Sequence, residues 1–280
     1  MVIWKNQLEN FDLLSKELIA KKELEQGKLR FNRSIIIASD VAGQFYCEKK
    51  IEMQYLHGEL ETEEKTVGSK AHHKLEEDAI KIKREDLWKE IYGKKPVFAV
   101  EMFILSKYKD IILGGIPDSI LFQAGKPLII FEFKFSKSQI AYLSHHVQAR
   151  TYGVILQEMG FDTSQLFYAI VTADPKTRGD REFRKQVVAT VIKNGPNEVV
   201  LPIKDATIHL HKFDLSDIEK NLSWAIDFWK QNREANPTNN PNKCLRCEYQ
   251  TQCPNYQPGH SARACYESFL TASARLLINM

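Results

Sequence analysis

The chain has 280 residues, 43% of them hydrophobic and 27% charged, with a net charge of +3. These proportions are ordinary for a soluble globular protein and leave room for one large domain or a core with an accessory part. No run approaches the eighteen or more apolar residues of a membrane helix, and Met1 to Asn10 lack a secretory pattern, so the expected compartment is the cytoplasm.

In chain order, Leu8, Phe11, Leu14 and Leu18 repeat at helical spacing and predict a helix within the first thirty residues. Ile35 to Ile37 lead to Ser39 or Asp40 as the cap of a helix through Glu52, and Thr66 to Glu90 is expected to be helical from Gly68 onward. Three apolar runs then predict strands: Val97 to Leu105, Asp110 to Phe122 and Pro127 to Lys134. Ser136 or Ser138 is the expected cap of a long helix that ends at Gly160. Leu166 to Thr172, Val187 to Ile192 and Thr207 to Phe213 are read as strands. A capping box at Ser216 to Glu219 opens a helix whose Ile218, Leu222, Ala225 and Trp229 share one face, and Asn236 to Pro241 is a linker. The expected fold class is α/β with one mixed central sheet.

Lys176, Arg178, Arg181, Arg184 and Lys185 crowd one stretch that holds only Asp180 and Glu182 as acids. Such a run is usually a solvated loop, and it bears on nucleic acid only beside a site that acts on phosphate.

The residues that suit such a site lie in the strands. Gly115-Ile116-Pro117-Asp118 opens one strand, and Phe131-Glu132-Phe133-Lys134 closes the next. Alternate strand residues share a face, so Glu132 and Lys134 point the same way from between apolar neighbours, where both are costly without partners. Two carboxylates on adjacent strands can hold a hard divalent cation, and a lysine can orient water or offset developing charge, which is the chemistry of phosphodiester hydrolysis. The alternative is a buried acid–lysine pair at a strand end. Upstream, His72 stands one turn into a helix after Gly68, where a neutral imidazole would be a further ligand favouring manganese over magnesium, with His73 as its neighbouring alternative. Downstream, Gln148 and Tyr152 share a helical face. The glutamine can position phosphate or water, and the tyrosine can stack on a base or donate to phosphate.

Five cysteines in a chain expected to be cytoplasmic point to metal binding or burial rather than to a disulfide framework. Cys244, Cys247 and Cys253 share one short segment, and either Cys47 or Cys265 would complete a set of four. Spacing alone leaves zinc and an iron–sulfur cluster equally open.

The order Gly-x-x-x-His, Gly-x-Pro-Asp, Glu-x-Lys and Gln-x-x-x-Tyr resembles the RecB-like nucleases of the PD-(D/E)XK, restriction-endonuclease-like fold, and in particular the CRISPR-associated exonucleases of the "Cas four" family. That resemblance implies a nuclease core over 66–213, flanked by helical parts at 1–65 and 214–280 that form an iron–sulfur lobe. It implies Mn2+ or Mg2+ bound by His72, Asp118, Glu132 and the Phe133 carbonyl, with Lys134, Gln148 and Tyr152 joining Asp118 and Glu132 in catalysis. It also implies a [4Fe–4S] cluster on Cys47, Cys244, Cys247 and Cys253, leaving Cys265 as a packed spare. Such a cluster would close a loop on the order of 200 residues, worth about 5 kcal/mol in the chain-entropy model. The implied activity is removal of nucleotides from DNA ends, single strands favoured, to prepare new CRISPR spacers with integrase subunits as partners. A repair or viral exonuclease of the same chemistry is the alternative, and a zinc-stabilised, non-catalytic DNA-binding protein is the rival from another class.

Overall fold

The structure is a computed structural model in which residues 3–24, 27–60 and 83–258 are described. Helices α1 (Ile3–Glu23), α2 (Ala38–His57) and α3 (Arg84–Ile91) precede and interrupt the first strands. Two sheets follow. The larger has six strands in the order β2 (Val97–Val100), β5 (Ser119–Gln123), β6 (Lys126–Phe135), β7 (Phe167–Ala173), β9 (Ala206–Lys212), β8 (Val199–Ile203). The smaller has β1 (Ile36–Ile37), β4 (Ile111–Gly115) and β3 (Ile104–Tyr108). The expectation of one central sheet is therefore corrected to two, both mixed.

The runs read as single long strands are each divided, for physical reasons. Val97 to Leu105 breaks where Glu101 adopts φ 49° and the chain crosses from the large sheet to the small one. Asp110 to Phe122 breaks after Gly115, where Ile116-Pro117 carries the chain back again, Pro117 having no N–H for a ladder.

β6 and β7 run parallel at the centre of the large sheet, and their other neighbours are antiparallel. A parallel pair needs a crossover, here α4 (Leu143–Glu158). This helix packs against α2, the small sheet and β6, and its Val147, Val154, Ile155 and Leu156 are fully buried. It starts later than expected. Ser136 and Ser138 do not cap it: Ser136 Oγ accepts from the Ser138 N–H, and Gln139 Oε1 accepts from Thr207 Oγ1 on β9, holding the connection extended. Its end at Gly160, with φ 88°, is as expected.

Val187 to Ile192 is not a strand but part of α5 (Arg181–Asn194). Asp180 Oδ1 accepts from the Glu182 and Phe183 N–H groups and starts the helix, which lays Phe183, Val187 and Val191 on the face of the sheet opposite α4. β8 has no counterpart among the predicted strands, and its edge position tolerates Pro202, which has no N–H for a ladder. α6 (Ser216–Trp229) buries Ile218, Leu222, Ala225 and Trp229, the predicted face. Asp214 Oδ1, not a Ser216–Glu219 box, accepts from the first N–H of that helix. Nor do Ser39 and Asp40 cap α2. Ile37 takes the capping position, and buried Asp40 in the first turn accepts from Tyr55 Oη, its carboxyl pushed up by burial.

α2 is tied to the far end of the chain by a buried polar cluster. Glu48, 1% exposed, pairs with Arg233 at 2.6 Å and accepts from the Asn236 N–H at 2.8 Å. Gln44 bonds both Glu48 and the Trp229 indole. The linker at Asn236 is thus anchored before α7 (Pro241–Cys244). Among the described residues, no helix is long and apolar enough to cross a membrane.

Candidate functional site

At the carboxyl ends of the central parallel strands, the fold assembles most of the residues singled out in the sequence. Asp118 precedes β5 by one residue and is 7% exposed; Glu132 on β6 is 4% exposed. The antiparallel β5–β6 pairing brings them together, and Asp118 Oδ2 accepts from the Phe133 N–H at 2.6 Å. That single bond ties the carboxylate of one strand to the backbone between Glu132 and Lys134 of the next.

Side chains of β6 alternate between the two faces of the sheet. Ile130 joins the core beneath α4, whereas Phe131 and Phe133 join the core beneath α5. Glu132 and Lys134 therefore face α4. Lys134 Nζ pairs with Glu132 Oε1 at 2.7 Å and donates to Gln148 Oε1 at 2.9 Å. Gln148 Nε2 donates to Tyr152 Oη at 2.9 Å, and Tyr152 Oη donates to the Ile116 carbonyl at 3.2 Å. The chain of bonds leaves β6, passes along one face of α4, and returns to the loop that carries Asp118.

Electrostatics match this arrangement. Burial pulls the Lys134 ammonium down, but the charge and hydrogen bond of Glu132 outweigh it and raise its pKa above the usual lysine value. The Tyr152 phenol is pushed well up by burial and then by the Glu132 charge, so it stays protonated and donates. At 2% exposure, Tyr152 has no ring face open for a base. Of the two roles open to Tyr152, stacking on a base does not suit a ring so buried, while its hydroxyl is engaged with Gln148 and the Ile116 carbonyl. The sequence did not reveal that Gly115 is part of this arrangement, although Gly114-Gly115 before Ile-Pro-Asp was a signal. A Cβ there would lie 2.6 Å from Tyr152 Cε1.

His72, with its neighbour His73, lies outside the described residues. Among the described residues, no group of three or more His, Cys, Asp or Glu side chains is arranged to hold a metal ion. Asp118 and Glu132 do offer a divalent cation two hard oxygen donors at one strand end, and their donor chemistry fits it.

The four cysteines meet elsewhere. α2 breaks its helical dihedrals at Cys47, with φ −170° and ψ 117°, and Cys47, Cys244, Cys247 and Cys253 line one cavity. Their thiols are free of disulfides. The cavity walls are fastened across the two chain segments. Lys243 Nζ donates to the Tyr46 carbonyl at 2.9 Å, Lys50 pairs with Glu248 at 2.9 Å, and Tyr249 Oη donates to the Gly58 carbonyl at 2.8 Å. Burial pushes the Cys247 thiol up. The four thiols share the lining of one cavity, but among the described residues they do not form a group that could hold a metal ion. Cys265 lies outside the described residues.

No curated protein matches the chain. Among solved structures, it is similar to the crystal structure of SSO0001, with 16% identity and a TM-score of 0.46 over 80% of this chain and 88% of that chain. Residues 40–254 match the PD-(D/E)XK nuclease superfamily, a span that takes in the carboxylates, Lys134, the supporting glutamine and tyrosine, and all four cavity cysteines. The chain belongs to the PD-(D/E)XK nuclease superfamily.

Proposed function

We propose that the protein is a divalent-metal-dependent deoxyribonuclease that removes nucleotides from DNA ends, with single strands preferred. The observation that carries this reading is the bonded series Glu132–Lys134–Gln148–Tyr152–Ile116, closed onto the Asp118 loop. A buried acid–lysine pair serving only stability needs no such relay, whereas a lysine that must meet a phosphate in a fixed pose does.

Asp118, Glu132, His72 and the Phe133 carbonyl would hold Mn2+ or Mg2+. The cation supplies positive charge for the phosphate and acidifies water when bound. Lys134, fixed between Glu132 and Gln148, directs its ammonium at the attacking water or the developing negative charge. Gln148 and Tyr152 keep that ammonium in place. The family resemblance supports a [4Fe–4S] cluster, rather than zinc, on the four cavity cysteines. The same resemblance supports a cytoplasmic role in trimming DNA for new CRISPR spacers, alongside integrase subunits.

End-labelled single- and double-stranded DNA incubated with Mn2+, with Mg2+ and with a chelator tests the activity. Shortening from the end in either metal, faster on single strands and absent with chelator, is expected. Cleavage indifferent to chelator, or none on any DNA, would overturn the reading.

Gly115→Ala gives a second expectation. The new methyl meets Tyr152 and the Ala38 Cβ, a packing strain of about 1–3 kcal/mol. Displacing Tyr152 by about 1 Å should lower turnover on the order of 100-fold, because the relay transmits the shift to Lys134. Thermal melting and single-turnover cleavage measure the two effects. A folded variant with parental turnover would show that Tyr152 does not govern Lys134.

A further inference from the structure

The basic stretch after β7 is brought to the same end of the sheet as the carboxylates. β7 pairs with β6 through Ala173 and Phe135, and the stretch follows at once, through the 3-10 turn Pro175–Thr177 into α5. Its positive charges differ in their surroundings. Lys176 pairs with Asp205 at 2.6 Å and Lys185 with Glu182 at 2.7 Å, each an exposed local neutralisation. Arg178 and Arg184 have no such carboxylate within ion-pair distance among the described residues.

Instead their guanidinium groups lie on rings of β6. Arg184 sits 5.0 Å from the Phe133 ring centroid and Arg178 4.9 Å from that of Phe135, and the two rings are stacked at 6.3 Å. Phe133 is the residue whose N–H binds Asp118. Both Nε atoms are buried and have no hydrogen-bond partner among the described residues. Arg184 lies close enough to Asp118 and Glu101 to feel their charges, which oppose the downward pull of its burial. Two guanidinium groups are thus held over neighbouring rings of β6, with no carboxylate at ion-pair range among the described residues, near the strand end that carries the acids.

A stacked guanidinium presents a rigid fork matched to phosphate oxygens. Asp118 and Glu132 repel a polyanion, so DNA approaching them needs cationic anchors beside the site rather than in it. We propose that Arg178 and Arg184 form a backbone clamp on the face of the sheet opposite α4, holding phosphates of a DNA strand that runs round the strand end from the face that carries Glu132 and Lys134. They are positioning residues, since they touch neither the carboxylates nor Lys134. The inference rests on the nuclease reading for its biological sense, but its test separates the two.

Binding of an end-labelled single-stranded oligonucleotide is measured by fluorescence anisotropy with Ca2+ across a salt series, and cleavage is measured separately with Mn2+. Arg178→Gln and Arg184→Gln should each weaken binding about tenfold and flatten the log–log salt dependence by about 0.7 for each phosphate no longer held. In cleavage they should raise KM about tenfold while kcat stays within about twofold. Lys185→Gln, which removes a charge from the same helix, should leave binding within about twofold. Should the glutamine variants melt early, Arg178→Lys and Arg184→Lys replace them, and these should bind several-fold less tightly because a point charge lacks the fork. A parent protein that binds DNA through these arginines but never cuts it would retain the clamp and remove the nuclease. Active variants with parental affinity and salt slope would remove the clamp and retain the nuclease.

Discussion

Glu132→Ala and Asp118→Ala should each reduce cleavage of end-labelled DNA to the level seen without protein, while Lys134→Ala should slow it on the order of 100-fold. The two acids are buried at one strand end, and among the described residues of β5 and β6 there is no further acid to substitute for either. Glu132 also holds Lys134, so its loss removes a donor oxygen and releases the ammonium at the same time. Lys134→Ala should instead leave Mn2+ affinity, measured by titration, near the parental value, because the carboxylates and the Asp118–Phe133 bond persist. Removing one partner of a buried pair costs about 3–5 kcal/mol, and the side chain of Lys134 keeps a quarter of its exposure, so a smaller loss is expected and melting must accompany the kinetics. Activity near the parental level in Glu132→Ala would sink the assignment. Equal loss of metal affinity in Lys134→Ala would show that the lysine only props up Glu132.

Protein purified without oxygen should be brown, with iron and sulfide near four per chain. Serine at Cys47, Cys244, Cys247 or Cys253 should bleach it, while Cys265→Ser should keep the colour. The chain-entropy value of about 5 kcal/mol for the loop closed by Cys47 is an upper bound here. It assumes a cross-link that persists when the chain unfolds, whereas Glu48–Arg233, Lys50–Glu248 and Tyr249–Gly58 hold α2 to the tail in the folded chain whether or not a cofactor is bound. Cys47→Ser should therefore bleach completely yet lower stability by much less than the full figure. Glu48→Ala should cost more, about 3–5 kcal/mol, since it strands Arg233. Denaturant titration of both variants decides the order. Colourless protein with one zinc would keep the fastening and remove the iron–sulfur reading.

The parts of the fold that were legible in the sequence are those where one period dominates. The face of α6 follows helical spacing without a break, and the Glu132–Lys134 alternation on β6 survives because strand geometry alone sets it. Val187 to Ile192 misled because a short apolar run suits either state. What decides it is Asp180, seven residues upstream of Val187, capping a helix through a side-chain bond that no periodicity records. The divisions at Glu101 and Ile116 were hidden for a different reason: the chain stays apolar while it passes between two sheets. The roles of Gln148 and Tyr152 needed three-dimensional neighbours, since their partners Lys134 and Ile116 are distant in the chain. The arginine stretch was visible as charge, but the two phenylalanines beneath it were not.

The Glu48–Arg233 pair also sets a schedule for synthesis. Its members are 185 residues apart. At about 5–20 residues per second, Glu48 leaves the ribosome roughly 10–40 s before its partner is made. Through that interval α2 carries an acid whose burial is favourable only beside Arg233, so the helix has reason to stay wet. The central strands β5 to β7 can pair meanwhile, for their residues arrive close together. The carboxylates of Asp118 and Glu132 can thus be in place before the Glu48 end of α2 is buried, which makes that end of the helix the last to close.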